Sequence, residues 1–317
     1  MSKIIHRIFF NFNDGPDPFL SYLETWKREL PDFEIKMWDK NNLPLDLNEY
    51  TRTLAAEKNH AYLADYFRCW LLEKYGGVYL DADIEILDGD AFRAIYDSAQ
   101  SDPEADLFIG VESAKNGKLT AHSMGVKDGT FHPLLRFLMN LYETAFSGPL
   151  HYAIKNFDMP YLMTLYFLDL ERKGAQSVSV DGRFRGHEDI LTVDRARIFP
   201  PSYFSPLTTR NGKMVVSSFG EKTCLCHHFA ATWRDDFKGI KTAKCFEEAL
   251  RNGDYSVYPE LLPLVRERYP AMRIHGVRPL WRLHEREIAK IERFLNAIVP
   301  YGSVQYKILK KNKKAHD

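Results

Sequence analysis

The stretch Tyr75-Gly76-Gly77-Val78-Tyr79-Leu80-Asp81-Ala82-Asp83 constrains this chain more than any other. It follows a run, His60 to Tyr75, with neither glycine nor proline, which predicts a helix stopped by Gly76-Gly77. Beyond the stop, Val78, Leu80, Ala82, Ile84 and Ile86 alternate with Tyr79, Asp81, Asp83 and Glu85. That period of two predicts one strand over 78–87 with the apolar set buried and the polar set on the opposite face. At about 3.3 Å per residue the two aspartates then lie roughly 6 to 7 Å apart. One can bind a divalent cation while its neighbour reaches an adjoining sugar or water ligand. Hard oxygen ligands of this kind suit Mg²⁺ or Mn²⁺.

An Asp-x-Asp pair on its own carries little information, and Asp88-Gly89-Asp90 reads as a solvated turn of the same composition. The upstream helix adds the context. Asp65 and Arg68 are three residues apart and so share a face with Ala61 and Leu72. On a helix that is otherwise mostly apolar or aromatic, an acid and an arginine are paired with each other or bound to a ligand. Both alternatives stay open at this level.

The alternation of element types sets the fold class. Residues 3–10 read as a strand, 17–30 as a helix, 33–38 as a strand, 48–75 as helical pieces and 78–87 as a strand. This is the βαβ order of a nucleotide-binding sheet. Strands are expected at 106–111 and 121–126, and helices at 132–146 and 159–172, followed by short strands and turns to 233. From about residue 240 the composition shifts to helix formers, with an amphipathic pattern over 278–298 and then Lys307, Lys310, Lys311, Lys313 and Lys314. Two readings of that tail stand side by side: contact with an anionic membrane surface, or an ordinary helical cap with a basic end.

A chain of 317 residues, 45% hydrophobic and 14% aromatic, can bury a large core. Lysine plus arginine equals aspartate plus glutamate at 43 each, so the overall field favours neither nucleic acid nor an acidic partner. There is no apolar signal-peptide core near Met1 and no run of about 18 uncharged apolar residues, so the expected location is cytoplasmic, with the inner membrane face as the site of any peripheral contact. The four cysteines, Cys69, Cys224, Cys226 and Cys245, fit a reducing compartment. A zinc site on Cys224, Cys226, His227 and His228 is weighed against by the alternation of the segment and the lack of a second ligand cluster.

Taken together, Ala61-x-x-x-Asp65-x-x-Arg68, Leu72 and Gly76-Gly77-x-Tyr79-x-Asp81-x-Asp83 resemble the sugar-nucleotide-binding core of glycosyltransferase family 32 and of the related large clostridial glucosylating toxins. Two further segments share the resemblance. Lys3-Ile4-Ile5-His6-Arg7-Ile8-Phe9 is similar to the family's opening strand, with Phe9 where Trp is commoner. His227-His228-Phe229-Ala230-Ala231-Thr232-Trp233 resembles its His-His-x-x-x-Ser-Trp segment, with Thr232 in place of Ser.

The resemblance implies an α/β fold of GT-A type: a mixed, mostly parallel central sheet over residues 1–239 as the catalytic domain, and a C-terminal helical region with a basic tail over 240–317. It implies a retaining, metal-dependent transfer of sugar from a nucleoside-diphosphate sugar to a glycan or lipid-linked glycan, as in capsular or other surface polysaccharide synthesis. By the same resemblance Asp83 and His228 hold Mn²⁺ or Mg²⁺ with Asp81 in or beside the metal shell. Asp65, Arg68, Tyr79 and Asp81 would contact the donor, Phe9 would stack on its base, and Trp233 would close over it. Asp65, Arg68, Asp81 and Asp83 are the catalytic candidates. A metal-dependent phosphodiesterase or pyrophosphatase, and a toxin-like protein glycosyltransferase, remain alternatives, since carboxylates, histidine and a cation also serve hydrolysis.

Overall fold

Strand β1 (Ile4–Ile8) is buried at every position because helices cover both faces of the sheet it belongs to. The computed structural model describes residues 3–113, 117–146, 159–172, 184–210, 213–230, 245–248, 255–257 and 261–269. After β1 come α1 (Leu20–Glu29), β2 (Glu34–Trp38), α2 (Glu49–Ala56), α3 (His60–Tyr75), β3 (Gly77–Leu80), β4 (Ile84–Ile86), α4 (Gly89–Ser101), β5 (Leu107–Val111), β6 (Leu119–Val126), α5 (Pro133–Phe146) and α6 (Met159–Arg172). Strands β7 (Leu191–Val193) and β8 (Ala196–Phe199), a short helix at Pro201–Phe204, β9 (Leu207–Arg210), β10 (Lys213–Val216) and β11 (Leu225–His227) follow, with β12 (Tyr255–Val257) and a last helix at Leu262–Arg268.

Seven strands form the central sheet in the order β2-β1-β3-β6-β5-β8-β7. It is mixed: β1 runs parallel to β2 and β3, and β5 parallel to β8, while β6 and β7 run against their neighbours. Alternation along β3 divides the core. Tyr79 joins Ile8, Phe67, Leu71, Ile109 and Met124 on the α3 and α5 side, whereas Val78 and Leu80 join Ile5, Trp26, Leu30 and Phe92 on the α1 and α4 side. Chain segments leave β1 toward β2 on one side and return to β3 on the other, so β1 and β3 flank a switch point of the sheet. Ligands of open α/β sheets bind at the carboxyl ends of the strands there.

Helix α3 starts at the Asn59 N-cap and ends at Gly76, as the glycine-free run predicts. Gly76 and Gly77 both take positive φ, and a Cβ on Gly77 would lie 2.7 Å from the Ile4 carbonyl oxygen, so β3 meets β1 closely only with glycine there.

The single strand expected over 78–87 is corrected. The chain turns at Asp81–Asp83, with the Ile84 amide donating to the Asp81 carbonyl at 3.1 Å, and β4 leaves the main sheet to pair antiparallel with β11. Helix α1 draws it away: Trp26 Nε1 donates to the Ile84 carbonyl at 2.7 Å and the Ile86 amide donates to Thr25 Oγ1 at 3.0 Å. Asp88-Gly89-Asp90 is likewise no free turn. Asp88 caps α4 by accepting from the Ala91 amide at 2.9 Å, and Gly89 packs against Glu29 where no Cβ would fit.

The C-terminal region was expected to be helical. It holds the helix Leu262–Arg268 but also β12, which runs parallel to β10, and Phe246, Val257 and Val265 join Leu207, Met214 and Cys226 in one apolar cluster. Trp233, the 278–298 pattern and the lysine tail lie outside the described residues. Among the described residues no helix is long and apolar enough to cross a membrane.

One buried histidine ties β1 to the α3–β3 junction. His6 Nε2 donates to the Gly76 carbonyl at 2.9 Å and Nδ1 accepts from Trp38 Nε1 at 3.1 Å, which leaves no place for a second proton. Burial pushes its pKa down to about 4. Below about pH 6.5 the unfolded chain binds a proton that the folded chain refuses, so stability falls as pH drops from about 6.5 to about 4, by up to about 3 kcal/mol. His6→Gln should lose that part of the acid dependence, read as a wild-type-minus-variant difference in denaturation midpoint across the window.

Candidate active site

The turn that breaks the expected strand brings the two aspartates together at the carboxyl end of β3. β11 supplies the third group. Its register against β4 sets His227 opposite Ile84 and Cys226 opposite Glu85, so His227 arrives beside Asp83. His227 Nε2 lies 3.3 Å from Asp83 Oδ1. One ligand atom each from Asp81, Asp83 and His227 lie within 4.8 Å of one another, the one such cluster among the described residues.

His228, expected at the metal, is directed elsewhere. Successive residues of a strand face opposite ways, and His228 is fully buried behind β4, where its Nε2 donates to Glu85 Oε2 at 2.8 Å and its ring stacks on Tyr22 with centroids 4.5 Å apart. Glu85 also accepts from the Phe246 amide at 2.6 Å. The histidine that meets the aspartates is therefore one residue earlier than expected. No local signal marks it, because alternation sets Glu85 on the same face as Asp83 and only the β4–β11 register separates the two histidines.

Burial alone would raise the Asp83 carboxyl, but the facing His227 imidazole and the hydrogen bond from the Ala230 amide to Oδ2 at 2.8 Å hold it well below the usual carboxylate range. Burial opposes protonation of His227, and Asp83 overcomes it, raising the imidazole above its ordinary value. The His227 ring is flanked by His122 and Phe229, with centroids 4.4 and 4.3 Å away. His122 is buried and tied to Ser123 and Ser205 at 2.5 and 3.0 Å, and burial drives its pKa well down, so it backs His227 as a neutral ring.

Asp65 and Arg68 do form an ion pair, at 2.8 Å, and the same Arg68 Nη2 reaches Asp81 Oδ1 at 3.3 Å. The guanidinium lies 4.6 Å from the Tyr79 ring centroid and also donates to the carbonyls of Ala64, at 3.3 Å, and Ala121. Tyr79 Oη donates to Asp81 Oδ1 at 2.6 Å. Tyr79 is only 1% exposed and orients Asp81 from behind. Both bonds fall on Oδ1, which leaves Oδ2 as the oxygen that Asp81 presents.

Phe9 continues from the end of β1, half-buried, edge-on to Phe19 with centroids 6.0 Å apart. Arg7, fully buried below it, gives Nη2 to Asp17 at 2.6 Å, while its Nε and Nη1 find no partner among the described residues. Sequence reasoning passed over Arg7.

Two carboxylates and one imidazole present oxygen and nitrogen donors that a divalent cation accepts. The His227 Nδ1 atom is buried with no hydrogen-bond partner among the described residues and Asp83 keeps its charge, so the donor set fits a cation, which would take the place of the proton that Asp83 favours on His227.

Residues 16–92 match the family described as the glycosyltransferase sugar-binding region containing a DXD motif, and the chain thus carries the sugar-binding region of a glycosyltransferase and is a transferase by class. The match spans α1 to the start of α4, including Asp65, Arg68, Asp81 and Asp83. No curated protein matches in sequence. Among solved structures the chain is similar to the PaToxG glycosyltransferase, at 15% identity over 55% of this chain and 70% of that one, TM-score 0.41. It is similar to a glycosyltransferase involved in glycosylation of the major capsid of PBCV-1, at 13% identity over 71% and 93%, TM-score 0.37. A third likeness is to the glycosyltransferase GlyE of Streptococcus pneumoniae, at 11% identity over 53% and 44%, TM-score 0.32.

Proposed function

We propose that this chain is a metal-dependent, retaining glycosyltransferase that moves a sugar from a nucleoside-diphosphate sugar to a glycan acceptor. The observation that carries the reading is the convergence of Asp81, Asp83 and His227 at the carboxyl end of β3, the two aspartates lying in the region that matches a sugar-binding family. Departure of a nucleoside diphosphate builds negative charge on the leaving oxygens, and a divalent cation held by these three side chains would neutralise it. We assign His227 in place of His228 as the imidazole ligand. Asp65 and Arg68 offer acceptors and a planar set of donors that suit sugar hydroxyls and phosphate, and Phe9 offers an apolar ring to the base. Arg68 and Tyr79 fix the free oxygen of Asp81 toward the reacting group. Retention of configuration follows the family analogy, with the departing phosphate oxygen taking the acceptor proton on the same face. A surface-polysaccharide or lipid-linked acceptor, met at the cytoplasmic face of a membrane, is the acceptor class that goes with this reading. A two-metal hydrolase needs a second cluster of ligands, and the described residues hold one.

The test is a thermal-shift panel of nucleoside-diphosphate sugars with Mn²⁺, Mg²⁺ or EDTA. A donor that binds the folded state raises the midpoint by mass action, and at a hundredfold excess over Kd the stabilisation is about 2.7 kcal/mol. The expected result is a donor shift and sugar transfer with Mn²⁺ or Mg²⁺ that both vanish with EDTA and return on adding metal. Full turnover in excess EDTA would sink the metal assignment.

A further inference from the structure

We infer that the groove between α3 and α5 is a second carbohydrate site, which holds a neutral oligosaccharide on the side of α3 opposite the metal cluster. The inference builds on the sugar-transfer reading and adds the class of ligand engaged away from the reacting centre.

Helix α3 has two working faces. Asp65 and Arg68 point to Asp81, whereas Tyr66, Trp70, Glu73 and Lys74 follow the i, i+4, i+7, i+8 spacing of another face, with Trp70 about 200° around the axis from Arg68. On α5, Arg136 and Glu143 lie seven residues apart on the face that meets it. Between them runs an open cavity of about 530 Å³, completed by Asn48 ahead of α2. From Tyr66 to Glu73 its floor extends about 10 Å along the helix, more than a single sugar ring needs.

The lining chemistry selects the ligand. The Asn48 amide donates to Tyr66 Oη at 2.8 Å and to Glu143 Oε1 at 3.3 Å, and Tyr66 Oη donates to the same carboxylate, so a hydroxyl, an amide and an acid are held in fixed orientation. Arg136 bonds Glu73 on the other side of the groove. Two carboxylates, Glu73 and Glu143, balance two cations, Lys74 and Arg136, which removes any net attraction for phosphate or a polyanion. Trp70 contributes a half-buried indole with the Lys74 ammonium 4.3 Å from its centroid. An aromatic ring bordered by paired acids, an amide and a guanidinium, all able to give or take hydrogen bonds, matches a ligand with apolar C–H faces and a rim of hydroxyls. That description is a neutral saccharide. Because α3 carries this face and the Asp65–Arg68 face together, a chain lying in the groove is held against the same helix that positions Asp81.

The experiment is saturation-transfer NMR of the full chain with maltotetraose, cellotetraose, mannotetraose and chitotetraose, beside a sulfated heparin tetrasaccharide. At least one neutral tetrasaccharide is expected to bind wild type, and Trp70→Ala and the exposed Arg136→Ala should each weaken it about tenfold or more. Asp83→Asn should bind it as wild type does, and Arg136→Ala should keep the Mn²⁺-dependent donor shift. Absence of binding by every neutral tetrasaccharide overturns the inference. So does preference for the sulfated probe, binding unchanged in both groove variants while they remain folded, or loss in Asp83→Asn. The donor shift is read separately, so failure of the groove leaves the transferase reading standing, and failure of the donor shift leaves the groove result readable.

Discussion

Asp83→Asn is expected to lower metal-dependent sugar transfer by at least about 10³-fold, equivalent to about 4 kcal/mol of lost transition-state stabilisation. The amide keeps an oxygen for the Ala230 N–H but gives up the charge that faces His227 and the proposed cation. Asp83 is buried, 8% exposed, so the change also costs stability, about 1 to 2 kcal/mol. Turnover measured against Mn²⁺ concentration separates the two effects. His227→Ala should behave as Asp83→Asn does, while His228→Ala should strip the donor from buried Glu85 and show mainly in the melting temperature. If His228→Ala abolished metal-dependent turnover in well-folded protein and His227→Ala spared it, the ligand assignment would be reversed.

Arg68→Lys is expected to damage both stability and catalysis. A lysine cannot meet Asp65, Asp81 and the carbonyls of Ala64 and Ala121 at once, nor lie flat on Tyr79. Leaving half-buried carboxylates with a poorer partner costs about 1 to 2 kcal/mol. Loss of the group that aims Asp81 should lower kcat/KM of the folded fraction by 10- to 100-fold on the order seen for partners behind metal ligands. Tyr79→Phe provides the graded comparison: it removes one bond to Asp81 and keeps the ring, so its effect on kcat/KM should be smaller and its cost in stability about 1 kcal/mol. A folded Arg68→Lys enzyme with normal kcat/KM would reduce the Asp65–Arg68 pair to a structural contact.

Much of the fold was legible because local signals agreed with the global one. The glycine-free run ending at Gly76 became α3, and the apolar runs before and after it became β1, β2, β5 and β6 at nearly the expected bounds. The Asp65–Arg68 spacing placed both on one face, as the ion pair shows. What could not be read was tertiary. Period-two alternation continues through Asp81–Asp83, yet Trp26 and Thr25 of α1 capture β4 and turn the chain out of the main sheet. The choice between His227 and His228 depended on which face of β11 met β4, and that register is set by a pairing between segments far apart in sequence. The same holds for β12, whose parallel partner β10 gives no local sign of itself. The groove beside Trp70 was invisible for the same reason, since α3 and α5 each show only half of it.

The β4–β11 ribbon separates the geometry of the centre from the length of the chain that lies between its parts. Contacts such as Glu85 to His228 and Asp83 to Ala230 span 143 and 147 residues, yet they are brought together by where β11 is laid against β4. Loops between the two strands, outside the sheet strands and the His122 support, can lengthen, shorten or be exchanged in the course of descent without moving His227, provided β11 returns to the same register. Inserting one residue within β11 is the opposite case: it turns the strand over and offers Cys226 or His228 to the aspartates instead. Diversity is thus permitted in the intervening loops, where new acceptor contacts can arise, and forbidden across three residues of a short ribbon.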